Sequence, residues 1–222
     1  MTDDGTGLTL YAHPFSSYCQ KALIALYEND TPFTYRHLED AGANEEKQAL
    51  WPFGQFPVLV DDGQTVAETT IIIEHLALHH PGPVQLLPAD PKKALEVRFL
   101  DRVFDNHVMT PMNLPVAEAL RADGGRKEDV LAKAAERLDI AYAWLEERLQ
   151  GRTWAAGEAF SMADCAAAPS LFYADWVHQI GEAFPTVRAY RARLLARPSV
   201  ARCVEEARQY RPYFPLGAPD RD

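Results

Sequence analysis

Cysteine is scarce in this chain, with three in 222 residues, at positions 19, 165 and 203. Their spacing matches no metal-ligand pattern, so no metal site is read from them, and their odd number argues against a disulfide framework. Such usage suits a reducing cytoplasm. Long apolar runs are missing as well, since nothing approaches the roughly 20 residues of a membrane span. The opening Met-Thr-Asp-Asp-Gly carries neither the basic nor the apolar stretch of a signal peptide. Positive charge is in deficit, with 22 basic against 32 acidic residues and a formal net charge of −10. That balance favours neither nucleic acid nor an anionic membrane as a partner, and reads as ordinary solubility charge. No internal repeat or low-complexity tract is visible.

What the chain does have is apolar content. At 47% it suffices for a sizeable core, and the length fits one large or two small domains. Leu8 to Ala12 reads as a strand, broken by His13-Pro14-Phe15. Ala22, Leu23, Leu26 and Tyr27 then recur at helical spacing. Ser16 and Ser17 therefore fall at the N-cap and first turn of a helix that follows a strand. Exposed N–H groups and a partial positive charge collect at such an end, which attracts an anion that a hydroxyl there can also meet. Simple helix capping is the plainer reading of the same serines.

Strand and helix signals alternate through residue 80. Phe33 to Leu38 has the period of a half-buried strand, and Asn44 to Trp51 is a short charged helix. Pro57 to Val60 is an apolar run closed by Asp61-Asp62-Gly63, a hairpin signal, with Thr65 to Ala67 returning. A helix begins at Thr69 or Thr70. The expected order is βαβαββα, with the last two strands antiparallel. Residues 81–91 hold four prolines and a glycine, the composition of a linker. Everything from 92 to 222 reads as helix. Pro111 and Pro115 are expected to kink or break the first long one. Leu100, Val103 and Phe104 give that helix more apolar faces than one core needs. Ser161 and Asp164 have the spacing of a capping box, ahead of a helix that is apolar almost all round and so belongs in the core.

The register of Ser16-x-x-Cys19 resembles thioredoxin-like proteins, with serine in place of the first sulfur. Serine forms no disulfide, so dithiol redox chemistry is not expected, although a hydroxyl can hold another molecule's thiolate. Four motifs in order resemble the cytosolic glutathione transferase superfamily, in its bacterial, serine-type (theta- and zeta-like) branch. They are Ser16-x-x-Cys19, Pro52 to Leu59, Glu68-Thr69, and Phe160-Ser161-x-Ala163-Asp164. The resemblance implies a thioredoxin-like domain over 1–80, a linker over 81–91 and an all-helical domain over 92–222. It implies glutathione as co-substrate and a hydrophobic electrophile as second substrate, in a homodimer.

The same resemblance implies the site. Ser16 is the expected catalytic hydroxyl, with Ser17 its competitor, and Cys19 is inert core. A cis Pro57 turns the Phe56 backbone toward the cysteinyl part of glutathione. Thr69 and the helix end suit the γ-glutamyl carboxylate, Glu68 suits its ammonium, and Gln55 lies near the glycyl carboxylate. Asp105, or Asp101 a turn earlier, is matched to an acid that reaches a partner subunit's glutathione. The second substrate is expected among His13, Phe15, Met109, Met112 and Asn113. Tyr11 and Tyr18 fall outside the tyrosine-type pattern, and Trp51 departs from the small polar residue usual at its place. A glutathione-dependent isomerase, an ether-cleaving or peroxidase variant, and a non-catalytic adaptor of the same fold stay open beside the transferase.

Overall fold

The computed structural model describes residues 7–121, 123 and 127–222; the Met1–Gly5 stretch lies outside them. Its first part runs β1 (Leu8–Ala12), α1 (Ser17–Glu28), β2 (Thr34–His37), α2 (Ala43–Leu50), β3 (Val58–Asp61), β4 (Gln64–Val66) and α3 (Thr69–His79). The sheet order is β2-β1-β3-β4. β1 pairs parallel with β2 through Leu10↔Tyr35 and antiparallel with β3 through Leu10↔Leu59. Leu8, Leu10 and Ala12 are buried on alternate positions of β1, the period-two pattern that fixes strand register. Asp62 and Gly63 both take positive φ, 45° and 84°, which a two-residue β3–β4 turn requires. This is the expected βαβαββα order.

Helices make up the rest: α4 (Pro91–Val103), a π-helical segment (Phe104–Met109), α5 (Thr110–Ala119), α6 (Glu128–Arg148), α7 (Met162–Val177), α8 (Pro185–Leu195) and α9 (Pro198–Ala207). A 3₁₀ turn follows at Arg208–Tyr213. Of the kink or break expected at Pro111 and Pro115, the structure shows no break: a π-helical stretch leads directly into α5. Pro111 lies in the first turn of α5, with helical backbone continuing from the π segment through Met109 and Thr110, and α5 continues through Pro115. The strain is absorbed upstream, in the wider π turns. The Thr110 N–H reaches back to the Asp105 carbonyl, which also accepts from Thr110 Oγ1 at 2.9 Å.

Helix α7 is buried from Met162 to Trp176, as its all-round apolar pattern predicts. Its capping box is present, and Asp164 also accepts from the Ala155 N–H (2.8 Å) and the Tyr190 hydroxyl (2.6 Å). α1 packs against α7, α9 and α3, and one apolar core runs through both parts of the chain. The proline-rich segment is pinned to that body. Asn29 Oδ1 accepts from the Val84 N–H at 2.8 Å, and a Cβ on Gly82 would come within 2.4 Å of Asn29 Cβ. Leu100, Val103 and Phe104 are all buried in this chain's own core, so they are not surplus surface. The exposed apolar residues of α4 are Leu95 and Phe99.

Candidate functional site

The loop between β1 and α1 is held from both parts of the chain. The Ser16 N–H bonds the His13 carbonyl at 3.0 Å. Gln20, buried on α1, donates to the Pro14 carbonyl (2.9 Å), and the Tyr173 hydroxyl of α7 donates to the Phe15 carbonyl (3.0 Å). Ser16 is the N-cap of α1, and its Oγ accepts the Cys19 N–H at 3.3 Å. Capping uses an acceptor lone pair of the hydroxyl and does not consume its proton, for which the Cys19 sulfur is a neighbouring acceptor. The capping role and the donor role are therefore compatible at Ser16.

Two cavities meet at this residue. One, of about 520 Å³, has polar and apolar lining in nearly equal parts, the more polar of the two, and is lined by Ser16, Gln55, Phe56, Pro57, Glu68, Thr69 and Asp105. The other, of about 370 Å³, is mostly apolar and includes His13, Phe15, Ser17, Met112 and Asn113. Ser16, Tyr18 and Phe56 line both. Ser17 borders only the apolar cavity. Met109 borders neither, because the π segment turns it into the core, where it is wholly buried.

The walls of the polar cavity are set by neighbouring elements. The Phe56–Pro57 bond is cis. α2 holds the loop before it, through Lys47 Nζ on the Gly54 carbonyl (2.6 Å) and Gln48 Nε2 on the Pro52 carbonyl (2.7 Å). Glu68, the N-cap of α3, has φ 68° and ψ 115°, a backbone state costly for a residue with a side chain. It brings Glu68 and the first turn of α3 to the cavity wall, with Thr69 almost buried beneath.

Asp105 lines the cavity of its own chain. Its Oδ2 pairs with Lys21 Nζ at 2.8 Å and with Arg102. Lys21 also meets Asp101 Oδ1 at 2.6 Å and donates to Thr70 Oγ1 at 3.1 Å. Asp101 is thus fully buried in this ion cluster. Asp105 Oδ1 is buried without a hydrogen-bond partner among the described residues. Burial raises the Asp105 carboxyl above its usual range, against the pull of Lys21.

Other groups are restrained by burial. It pushes the Cys19 thiol up to about 12, so this sulfur is an inert part of the core. Burial and the nearby Asp105 raise the Tyr18 phenol, which stays protonated at the junction of the cavities. His13 is lowered by burial. Its Nδ1 accepts the Phe15 N–H (3.2 Å), so the ring proton sits on Nε2, 3.4 Å from Glu39 Oε1. Tyr11 turns away from the junction to donate to Glu46 at 3.2 Å.

Sequence reasoning missed Tyr18, Trp51, Thr70, Arg102 and Asn106 in the polar wall, and Tyr173, Tyr213 and Phe214 in the apolar one. Trp51 was visible as a departure, and its ring lies 4.9 Å from that of Phe53. The C-terminal aromatics gave no signal, because they reach the site only through tertiary folding.

Comparison with known proteins places this architecture. The profile described as "Glutathione S-transferase, N-terminal domain" matches residues 10–84, and "Glutathione S-transferase, C-terminal domain" matches 104–198. The chain belongs to the glutathione S-transferase family. It is 30% identical to FtsZ-localized protein A of Caulobacter vibrioides, over 86% of this chain and 87% of that one. It is 29% identical to a maleylacetoacetate isomerase of Rattus norvegicus, over 72% and 73%. Among solved structures, a glutathione S-transferase from Rhodospirillum rubrum F11 superposes with a TM-score of 0.77 at 26% identity, over 89% and 91%. Within the glutathione S-transferase fold, the two cavities lie where the first and second parts of the chain meet.

Proposed function

We propose that this chain binds glutathione in the polar cavity and activates its thiol for reaction with an apolar electrophile in the adjoining one. The observation that carries the reading is Ser16, a helix-capping hydroxyl on the wall shared by two adjoining cavities, one mixed and one mostly apolar. Glu68 meets the γ-glutamyl ammonium, and Thr69 with the α3 N-terminus meets the α-carboxylate. The Phe56 backbone pairs with the cysteinyl unit, Gln55 faces the glycyl carboxylate, and Asp105 adds negative charge to the cavity wall. The thiol proton leaves to water. Ser16 Oγ–H then donates to the sulfur anion, whose electron pair forms the carbon–sulfur bond.

Substrate selection falls to His13, Phe15, Met112 and Asn113 on the apolar wall. Attack with loss of a leaving group gives transfer or ether cleavage, and reversible addition gives isomerisation; the maleylacetoacetate isomerase likeness makes the last a specific candidate. We place the working form as a two-fold homodimer in the cytoplasm.

A second reading is a non-catalytic adaptor. It is favoured by the likeness to FtsZ-localized protein A, a protein named for where it sits rather than for a reaction. Retention on a glutathione matrix and elution by free glutathione, followed by turnover of an electrophile panel with and without glutathione, separates the two. The enzyme reading requires both binding and glutathione-dependent turnover. Binding without turnover on any electrophile leaves the adaptor, and absence of binding overturns the site.

A further inference from the structure

At the far end of α3 from the cavities, Asp61 of β3 faces two histidines. His75 Nε2 and His80 Nε2 both lie 2.7 Å from the same oxygen, Asp61 Oδ2. One nitrogen from each ring and one carboxylate oxygen fall within 4.8 Å of one another. We propose that Asp61, His75 and His80 form a binding site for a first-row divalent cation of the zinc type, separate from the glutathione site.

The ligand chemistry fits. Two imidazoles and one carboxylate, with a fourth position left for water, are a donor set that holds Zn²⁺. Tetrahedral bonds of about 2.0–2.1 Å put ligand atoms about 3.3 Å apart. Each nitrogen–oxygen contact therefore has to open by only about 0.6 Å, a matter of side-chain rotation.

The backbone under the ligands is fixed. Asp61 is paired in the sheet with Leu8 and Gln64. The His80 N–H closes α3 on the Leu76 carbonyl at 2.8 Å. A helix C-terminus carries partial negative charge and favours a cation. The His75 and Asp61 side chains are 9% and 12% exposed, and the more open His80, at 29%, gives an ion its way in. The His79 ring packs on that of His75, with centroids 4.4 Å apart.

A second histidine cluster on the surface sharpens the choice. His13, His37 and Glu39 also bring three ligand atoms within the same distance. There, however, His13 Nδ1 accepts the Phe15 N–H and His37 Nδ1 accepts the Glu39 N–H. A ring held that way keeps its proton on Nε2, the atom a metal would need. Among the described residues, no backbone N–H bonds Nδ1 of His75 or His80. Each of those rings is free to carry its proton on Nδ1 when Nε2 turns to a metal.

The test is calorimetric titration of Zn²⁺ alone into untagged, chelator-stripped protein. The site is expected to take one equivalent per chain and to raise the unfolding temperature with Zn²⁺ concentration. His80→Asn and Asp61→Asn should each weaken binding by about tenfold or more, as even outer-sphere ligand changes do. His80 is partly exposed, so its variant should unfold at the wild-type temperature without metal. His37→Asn should leave the affinity unchanged. A visible d–d band on adding Co²⁺, lost in His80→Asn, is the independent signature. Absence of binding overturns the proposal, as does binding that survives His80→Asn and Asp61→Asn or is lost in His37→Asn. Zinc binding is read without glutathione, so failure of the thiol site leaves the outcome intact.

Discussion

Replacing Lys21 by methionine removes the cation from a buried cluster and keeps most of its volume. Lys21 is fully buried between Asp101 and Asp105, which come from the helical part of the chain, while Lys21 itself lies on α1. Breaking a buried ion pair by deleting one partner costs about 3–5 kcal/mol, because the other charge is left unpaired. Arg102 still touches both carboxylates, so the lower end, about 3 kcal/mol, is expected. For a chain of this size each kcal/mol moves the melting temperature by about 2–4 °C, which gives a fall of roughly 6–12 °C at neutral pH. The defect should shrink in acid. The Asp105 carboxyl is already raised by burial despite Lys21, and losing Lys21 raises it further. The variant's folded state then binds more protons than wild type as pH falls toward the ordinary carboxylate range, so its relative stability recovers there. Urea unfolding from pH 8 to pH 4, with Lys21→Met/Asp105→Asn as partial rescue, measures this directly. A loss below about 1 kcal/mol that does not vary with pH would show that the cluster is solvated and carries no such burden.

Other outcomes follow from the same geometry. Glu68→Ala and Thr69→Ala should raise KM for glutathione and leave kcat nearly unchanged, since they hold a part of the ligand that does not react; unaltered binding in both by calorimetry removes this half of the site. Asp164→Asn should destabilise the fold by about 2 kcal/mol or more, because the carboxylate accepts from Ser161, Ala155 and Tyr190 in full burial; a thermal midpoint within 2 °C of wild type refutes that role. Light scattering at micromolar concentration is expected to give twice 24.9 kDa, and a fully active species at the single-chain mass overturns the proposed dimer.

The parts of the molecule legible in the sequence are those fixed over short range. Strand alternation in Leu8–Ala12, the Asp62-Gly63 turn and the Ser161–Asp164 box each depend on neighbours a few residues away. Ser16 and Ser17 could be placed at a helix start for the same reason, whereas Glu68, Thr69, His13 and Phe15 were named as site residues through the family resemblance. Met109 could not be placed, because a π segment rather than a break accommodates Pro111, and that choice rests on packing against α7. The ion cluster was equally hidden. The sequence offered Asp105 and Asp101 only through the family resemblance and did not single out Lys21, and only tertiary folding brings α1, α4 and the π segment together to bury the three. Tyr213 and Phe214 close the apolar cavity from about two hundred residues downstream of Ser16, a distance at which local pattern carries no information.

The measurement closest to the central claim is the ultraviolet absorption of bound glutathione thiolate against pH. A free thiol titrates near 8.5, and sites at helix N-termini lower that value. Wild-type protein should show thiolate at lower pH than free glutathione. Ser16→Ala should raise the bound thiol's pKa by about one unit or more, each unit being worth 1.36 kcal/mol, and cut turnover by about ten- to a thousandfold. Ser16→Asp, which keeps a capping acceptor but has no proton to donate and adds a negative charge beside the thiolate, should raise the bound thiol's pKa further than Ser16→Ala does. A bound thiol that titrates like free glutathione, or a shift that appears in Ser17→Ala and not in Ser16→Ala, contradicts the assignment of Ser16 as the thiolate donor.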